Sequence, residues 1–341
     1  MLVFPELFLK NAKKPLTIPT FDGSGQAIHP DIVKLKGKNI QYVLAFTPYP
    51  FSNELYERPS ILISQDGVSW FENGIKNPVI NPKHSDELTS DPDIAYANGY
   101  FYLYYISWRW GGTLFKKARA LLKQYTKQYF SAVNLVMSKD LKKWSKPIQL
   151  FKSGGISSFS PFTRLIISPS ITWDGMFRMW YVKSFGCLNS DSRVYYRESH
   201  DGIRWSKEKK VYLQFPQEEV LWHIDVEKLC NNYYWMIIAA YPKNKHCGKI
   251  KNLYLAVSGD GLNWKTIKKP ILTTSFNDSW DSDSLYRSTF IVENKTLHLW
   301  YSGLRKGVWK IGYTSAEISS LDENVYSFNV VETCDESPGI H

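Results

Sequence analysis

A Ser-x-Asp-Gly-x-x-Trp pattern recurs along the chain, and no other feature restricts the fold as strongly. It reads SQDGVSW from Ser64 to Trp70, SKDLKKW from Ser138 to Trp144, SHDGIRW from Ser199 to Trp205 and SGDGLNW from Ser258 to Trp264. The serines lie 74, 61 and 59 residues apart, and GYTSAEI from Gly312 reads as a fifth, decayed copy. An apolar strand runs into each of the four copies (PSILI, NLVM, VYYRES, LYLAV). In such a turn Asp accepts backbone N–H groups, Gly supplies a positive φ and Trp packs the turn onto the strands. The motif is therefore architectural, and its aspartates are assigned no chemistry.

A second repeat stands upstream of each turn: HPDIVKL from His29, DPDIAYANGYFYLYYIS from Asp91, SPSITWDGMFRMWYVKS from Ser168, HIDVEKLCNNYYWMIIAAY from His223 and RSTFIVENKTLHLWYSG from Arg287. Each reads as a short strand, a turn and an aromatic-rich strand, so each unit holds about four strands. Five such units predict an all-β fold, a five-bladed β-propeller occupying residues 1–341 as one domain. Blades are expected near 25–85, 86–155, 156–215, 216–275 and 276–320, with the terminal segments closing the ring. A pair of β-sandwiches lacks this self-similarity, and β-helix coils are much shorter. A short helical insertion is expected in blade two, where LFKKARALLKQYTKQYF (Leu114 to Phe130) separates an apolar from a basic face at helical spacing. It would pack on the propeller, or serve as a lid or a partner-docking helix.

With 43% hydrophobic and 22% charged residues the chain is neither disordered nor low-complexity. Its longest apolar stretch, around Tyr233 to Tyr241, is too short to span a bilayer, so no membrane partner is expected. The opening MLVFPELFLKNAKK interrupts its only apolar run with Pro5 and Glu6 and reads poorly as a signal peptide. A cytoplasmic location is expected, with phage association or non-classical export as alternatives. The widely spaced Cys187, Cys230, Cys247 and Cys334 read as reduced thiols. The net charge of +10 comes from basic residues dispersed over all units, with no nucleic-acid-binding motif, so no nucleic-acid partner is expected. Oligomeric state has no sequence marker here. P-loop, GxGxxG, GxSxG and HExxH motifs are absent from the sequence.

In a propeller the innermost strand of each blade lines the central channel and begins at one mouth, so the residues opening these strands converge. Aligned on the Pro-Asp-Ile core, His29, Asp91, Ser168, His223 and Arg287 share one level. Two residues on, on the same strand face, stand Asp31, Asp93, Ser170, Asp225 and Thr289. Carboxylates crowded about an axis raise one another's pKa and need compensation. Acid/base chemistry on a glycoside uses such a set, one carboxyl protonated for the leaving oxygen and another ionised to activate water or attack carbon. In an inert propeller, channel waters and neighbouring groups would satisfy the same side chains.

On these residues the chain resembles the five-bladed propeller glycoside hydrolases of families 43, 32, 117 and 130, over roughly residues 25–320. HPDIV, DPDIAYANGYFYLYY and the Ser-x-Asp-Gly turns carry the resemblance. It implies a glycosidase acting on an oligosaccharide or polysaccharide at the channel mouth, with Asp31 as general base and Asp93 as the carboxylate that tunes pKa and orients the sugar. The acid would be sought further round, where blade three offers only Ser168 and Ser170. Asp225, Glu227 and Glu57 are the substitutes, and Asp225 is preferred because it occupies the ring itself. His29, Glu57, Arg58, Asp91, Trp108, His223, Glu227 and Arg287 make up the expected sugar-binding set. Two rival readings stand beside this one. The first is phosphorolysis, with Arg287 and His223 holding phosphate; the second is a carbohydrate-binding propeller without catalysis, as in phage or cell-surface recognition. No cofactor is expected, an axial calcium ion beside His29 or His223 being the one left open. A basic rim of Arg58, Arg109, Lys243, Lys245, His246, Lys249, Arg305 and Lys306 around an acidic centre points to an anionic glycan.

Overall fold

The computed structural model describes residues 7–35, 37, 40–82, 87–109, 130–154, 164–185, 191–229, 233–276 and 278–318. Five sheets succeed one another along the chain. Blade one is β1 (Ala27–Lys34), β2 (Tyr42–Pro48) and β3 (Ser60–Ser64). Blade two is β4 (Glu87–Ala97), β5 (Tyr100–Arg109), β6 (Phe130–Ser138) and β7 (Ile148–Gly154). Blade three is β8 (Leu165–Trp173), β9 (Phe177–Ser184), β10 (Arg193–Ser199) and β11 (Lys209–Lys210). Blade four adds β12 (Tyr212–Gln214), paired parallel to its outer strand, to β13 (Glu219–Lys228), β14 (Tyr234–Pro242), β15 (Asn252–Ser258), β16 (Asn263–Thr266) and β17 (Leu272–Thr273). Blade five is β18 (Ser284–Glu293), β19 (Thr296–Arg305) and β20 (Val308–Glu317). Strands β1, β4, β8, β13 and β18 meet in chain order around the axis. The chain is thus an all-β, five-bladed propeller.

Neighbouring blades cover both faces of each middle strand, which is why these segments read as continuous apolar runs. Every residue from Tyr234 to Tyr241 is buried. The repeated turns then latch one blade to the next. In the first copy the Asp66 carboxylate accepts the N–H groups of Val68 and Ser69, while Ser64 Oγ accepts that of Gly67. The turn glycine's carbonyl takes a donor from the preceding blade: Tyr104 OH reaches Gly202 O, Trp180 Nε1 reaches Gly261 O, and Trp300 Nε1 closes the circle on Gly67 O. Gly261 sits at φ +72, and a Cβ there would lie 2.8 Å from Trp180 Cζ2, so both conformation and space demand glycine. In the glycine-less second copy, Leu141 adopts φ 63 and buries its side chain instead.

The ring is closed by the Lys34–Glu293 ion pair between blades one and five. The segment from Leu7 also joins blades four and five, through Leu9 N to Ile271 O and Leu16 N to Ile311 O, both 2.8 Å. The insertion expected as a helix lies almost entirely outside the described residues. Its last residue, Phe130, opens β6, and the described residues contain only short 3-10 turns. The reading of four reduced thiols is corrected at Cys247, which is disulfide-bonded; the other three cysteines lie outside the described residues. Spacing along a propeller sequence does not reveal which thiols meet, because loops from different blades share one face.

Candidate active site

Each inner strand carries one extra residue at the same height. Pairing with the second strand slips between Ile28 and Asp31, Ser90 and Asp93, Ile167 and Ser170, Leu221 and His223, and Leu285 and Ser288. These bulges re-aim side chains at the channel. In the first three blades His29, Asp91 and Ser168 adopt φ of 55°, 48° and 50°, left-handed conformations that non-glycine residues seldom take. Each precedes a proline, which restricts the backbone further. Strain of this kind persists where surrounding structure over-determines it and concentrates at functional sites.

The deeper level is a ring of clasps. An innermost strand leaves a row of N–H groups unpaired on the channel side, and buried donors need partners. Asp31 accepts the N–H of Ile94 at 2.6 Å, Asp93 that of Ile171 at 3.1 Å, Ser170 that of Val226 at 2.8 Å and Asp225 that of Phe290 at 3.2 Å. Thr289 completes the circle by donating to Asp31. The structure therefore brings Asp31, Asp93 and Asp225 together, with carboxylate oxygens within 4.8 Å of one another. Arg287, fully buried, pairs with Asp93 at 3.1 Å and donates to Pro169 O. Burial and then the Asp31 charge push Asp225 up to about 8, against the pull of Arg287. Asp93 rises well above its ordinary value for the same two reasons, and burial raises Asp31. At neutral pH the trio carries fewer than three negative charges. Glu227, two residues beyond Asp225 on β13, is also raised well above its usual value, by burial and then by Asp225 and Asp31.

The level nearer the mouth is different in kind. His29, Asp91 and His223 hold donor atoms within 4.8 Å of one another, and all three are buried. Thr47 Oγ1 meets His29 Nδ1 at 2.9 Å, turning Nε2 to within 3.1 Å of Asp91 Oδ1. Asp91 Oδ2 accepts the N–H of Ser168 at 2.8 Å. Both ring nitrogens of His223 are buried with no hydrogen-bond partner among the described residues. Burial drives the His29 pKa down to about 4 and that of His223 well below its usual value, although Asp91 opposes both shifts. For Asp91 burial acts upward, but His29, His223 and Arg287 together hold its carboxyl below the ordinary value. Two neutral imidazoles beside an ionised carboxylate, with unpaired nitrogens, form a donor set suited to a divalent cation. Ser168 contributes nothing to it, since its hydroxyl is spent on the N–H and C=O of Ile224.

The remaining candidates separate by position. Glu57 stands at the mouth beside Asp91, and its pKa is raised well above the usual value by burial, then by Asp91 and Glu54. Trp108 is buried with its indole N–H on Ser90. Arg58 lies over Phe21 and bonds Asn81, away from the central cluster. Sequence reasoning missed Tyr286 and Trp222. The Tyr286 ring lies 4.4 Å from that of His223 and 5.3 Å from that of His29, and its hydroxyl accepts from Trp222 Nε1. Trp309, then Tyr49, continue this aromatic wall outward. The available signal was their place immediately before His223 and Arg287, and only the bulges give that place meaning.

Comparison with solved structures decides the architecture. An N-acetylgalactosamine deacetylase from F. plautii, in complex with blood group B trisaccharide, superposes at a TM-score of 0.76 over 91% of this chain and 95% of that one, at 22% identity. A thermostable family-43 glycoside hydrolase superposes at 0.58 over 92% and 98%, at 16% identity. The chain is a five-bladed β-propeller resembling the family 43 glycoside hydrolases. In sequence it is 29% identical over 316 residues to an A type blood N-acetyl-alpha-D-galactosamine deacetylase of Flavonifractor plautii, covering 82% of this chain and 40% of that protein. It is also 27% identical over 135 residues to an uncharacterized protein of Mycobacterium tuberculosis, covering 38% of this chain and 43% of that protein. The chain thus spans well under half the length of these curated relatives. No protein-family model matches it.

Proposed function

We propose that this propeller hydrolyses the N-acetyl group of an amino sugar in a glycan, at the cluster formed by His29, Asp91, His223 and Glu57. The observation that carries this reading is the buried His223 imidazole with both nitrogens unpaired, gathered with His29 and Asp91 within 4.8 Å. Amide hydrolysis needs polarisation of a poorly electrophilic carbonyl, which a cation on this donor set would provide. The sequence relationship to a deacetylase points the same way. A divalent cation held by His29, Asp91 and His223 would supply Lewis-acid polarisation of the amide carbonyl. The chain's own residues do the rest. Glu57, beside Asp91 and with its pKa raised by burial, takes a proton from the attacking water and returns it to the amine as the C–N bond breaks. Acetate and a free amino sugar leave. The Thr47 hydroxyl keeps the His29 ring aimed, and the Tyr286, Trp309 and Tyr49 rings offer apolar faces to the sugar.

Glycosidic cleavage by the deeper ring is the second reading. It is favoured by one observation, the Asp225 carboxyl protonated to about pH 8 beside Asp31. Against it, both carboxylates are buried and each is spent on a neighbouring blade's N–H. Metal depletion separates the readings. Dialysis against a chelator is expected to abolish acetate release from an N-acetylgalactosaminide, and stoichiometric Zn²⁺, Mn²⁺ or Co²⁺ to restore it. Full activity in protein whose measured metal content is far below one per chain would overturn the proposal.

A further inference from the structure

A second polar depression opens on the mouth face, in the seam between blades three and four, with a volume of about 550 Å³. Its floor is the crossing segment in which β11 pairs with blade three and β12 pairs with blade four. Glu219 opens β13 and pairs with Pro242 at the end of β14, so this groove flanks the mouth end of the strand that carries His223. His223 stands four positions along this strand from Glu219, at most about 13 Å at the rise of a regular strand.

The lining has the chemistry of a saccharide site. Tyr212 presents its ring to solvent with 68% of its surface exposed, a platform that the fold leaves uncovered. Glu219 Oε1 is bonded to Asn252 and Tyr254, but its Oε2 is buried with no partner among the described residues, and such an oxygen calls for a donor such as a sugar hydroxyl. Lys210 and Lys243 line the groove as exposed cations, and Arg193, paired with Asp191 at 2.7 Å, borders it at the start of β10.

We propose that this seam is a second glycan subsite, which takes an acidic sugar unit of the same glycan whose N-acetyl group enters the channel mouth. Its link to that glycan rests on the deacetylase reading; its affinity for acidic saccharide does not. The test titrates the intact protein calorimetrically with an unbranched oligogalacturonate and with a neutral galacto-oligosaccharide of equal length. The expected result is binding of the acidic oligomer at least tenfold tighter than the neutral one at low salt, weakening as salt rises. Combining Tyr212→Ala, Lys210→Ala and Lys243→Ala is expected to remove that preference. Acetate release from a small N-acetylgalactosaminide should stay within twofold of the parent, since all three side chains are exposed and none belongs to the cluster of His29, Asp91, His223 and Glu57. Equal affinity for the two oligomers, or an unchanged preference in the triple variant, would overturn the subsite. Binding is read without turnover, so an absence of acetate release would count against the deacetylase reading alone.

Discussion

Replacing Arg287 by methionine is expected to lower the unfolding free energy by roughly 3–5 kcal/mol at pH 8, the usual cost of removing one partner from a buried ion pair. Arg287 is fully buried, is paired with Asp93, and lowers the pKa of Asp31, Asp93 and Asp225 alike. Without it three clustered carboxyl groups lose the one cation that faces them among the described residues. The loss should shrink on acidification. A carboxyl whose folded pKa is raised binds more protons in the fold than in the unfolded chain, so its charge penalty is present above the folded pKa and relieved as pH falls. For Asp225 that window runs from about 8 down to its unfolded value near 4. Urea denaturation of parent and variant at pH 5 and pH 8 measures both effects. A variant within 1 kcal/mol of the parent at pH 8 would mean that the trio is already neutral without the arginine. Adding Asp93→Asn should recover part of the loss, because it removes one of the charges that Arg287 balances.

The second large effect is catalytic. Glu57→Gln is expected to reduce kcat for acetate release by about 10²–10⁴, the contribution typical of a positioned general acid/base, with a small change in KM. His223→Ala should abolish release together with metal binding. Asp225→Asn keeps an oxygen to accept the Phe290 N–H and should leave acetate release within a few-fold of the parent. Steady-state kinetics on the three variants discriminate the two levels of the channel. If Asp225→Asn were the dead variant and Glu57→Gln the active one, the chemistry would belong to the deeper ring and the mouth cluster would be structural.

These contrasts also mark where sequence reasoning stopped. The turns were legible because their roles are local: a Ser-x-Asp-Gly run states its own hydrogen bonds, and Asp66 makes them. The ring members were legible as well, because aligned strand starts converge in any propeller. Their division of labour was not. Asp31, Asp93 and Asp225 looked like free acids, yet each accepts an N–H supplied by the next blade, a donor that exists only once the ring has closed. The serines of blade three looked like missing acids, whereas Ser170 fills the same clasping position and Ser168 bonds the neighbouring strand. The extra residue in each inner strand hid the rest. A period-2 reading places His29 and Asp31 on one face as equals, but the bulge between Ile28 and Asp31 gives them different neighbours. In β18 the matching bulge between Leu285 and Ser288 holds Tyr286, which lies against His223, a contact for which the sequence carries no periodic signal.

A mouth cluster that cleaves an amide and leaves glycosidic bonds intact has a direct signature in proton NMR of one reaction, the metal-loaded protein with a trisaccharide ending in N-acetylgalactosamine. The free acetate methyl signal should grow to one equivalent, the N-acetyl methyl signal of that terminal sugar should disappear, and the anomeric signals of the interglycosidic linkages should stay unchanged. Release of a free sugar with a new reducing end and no acetate would contradict it.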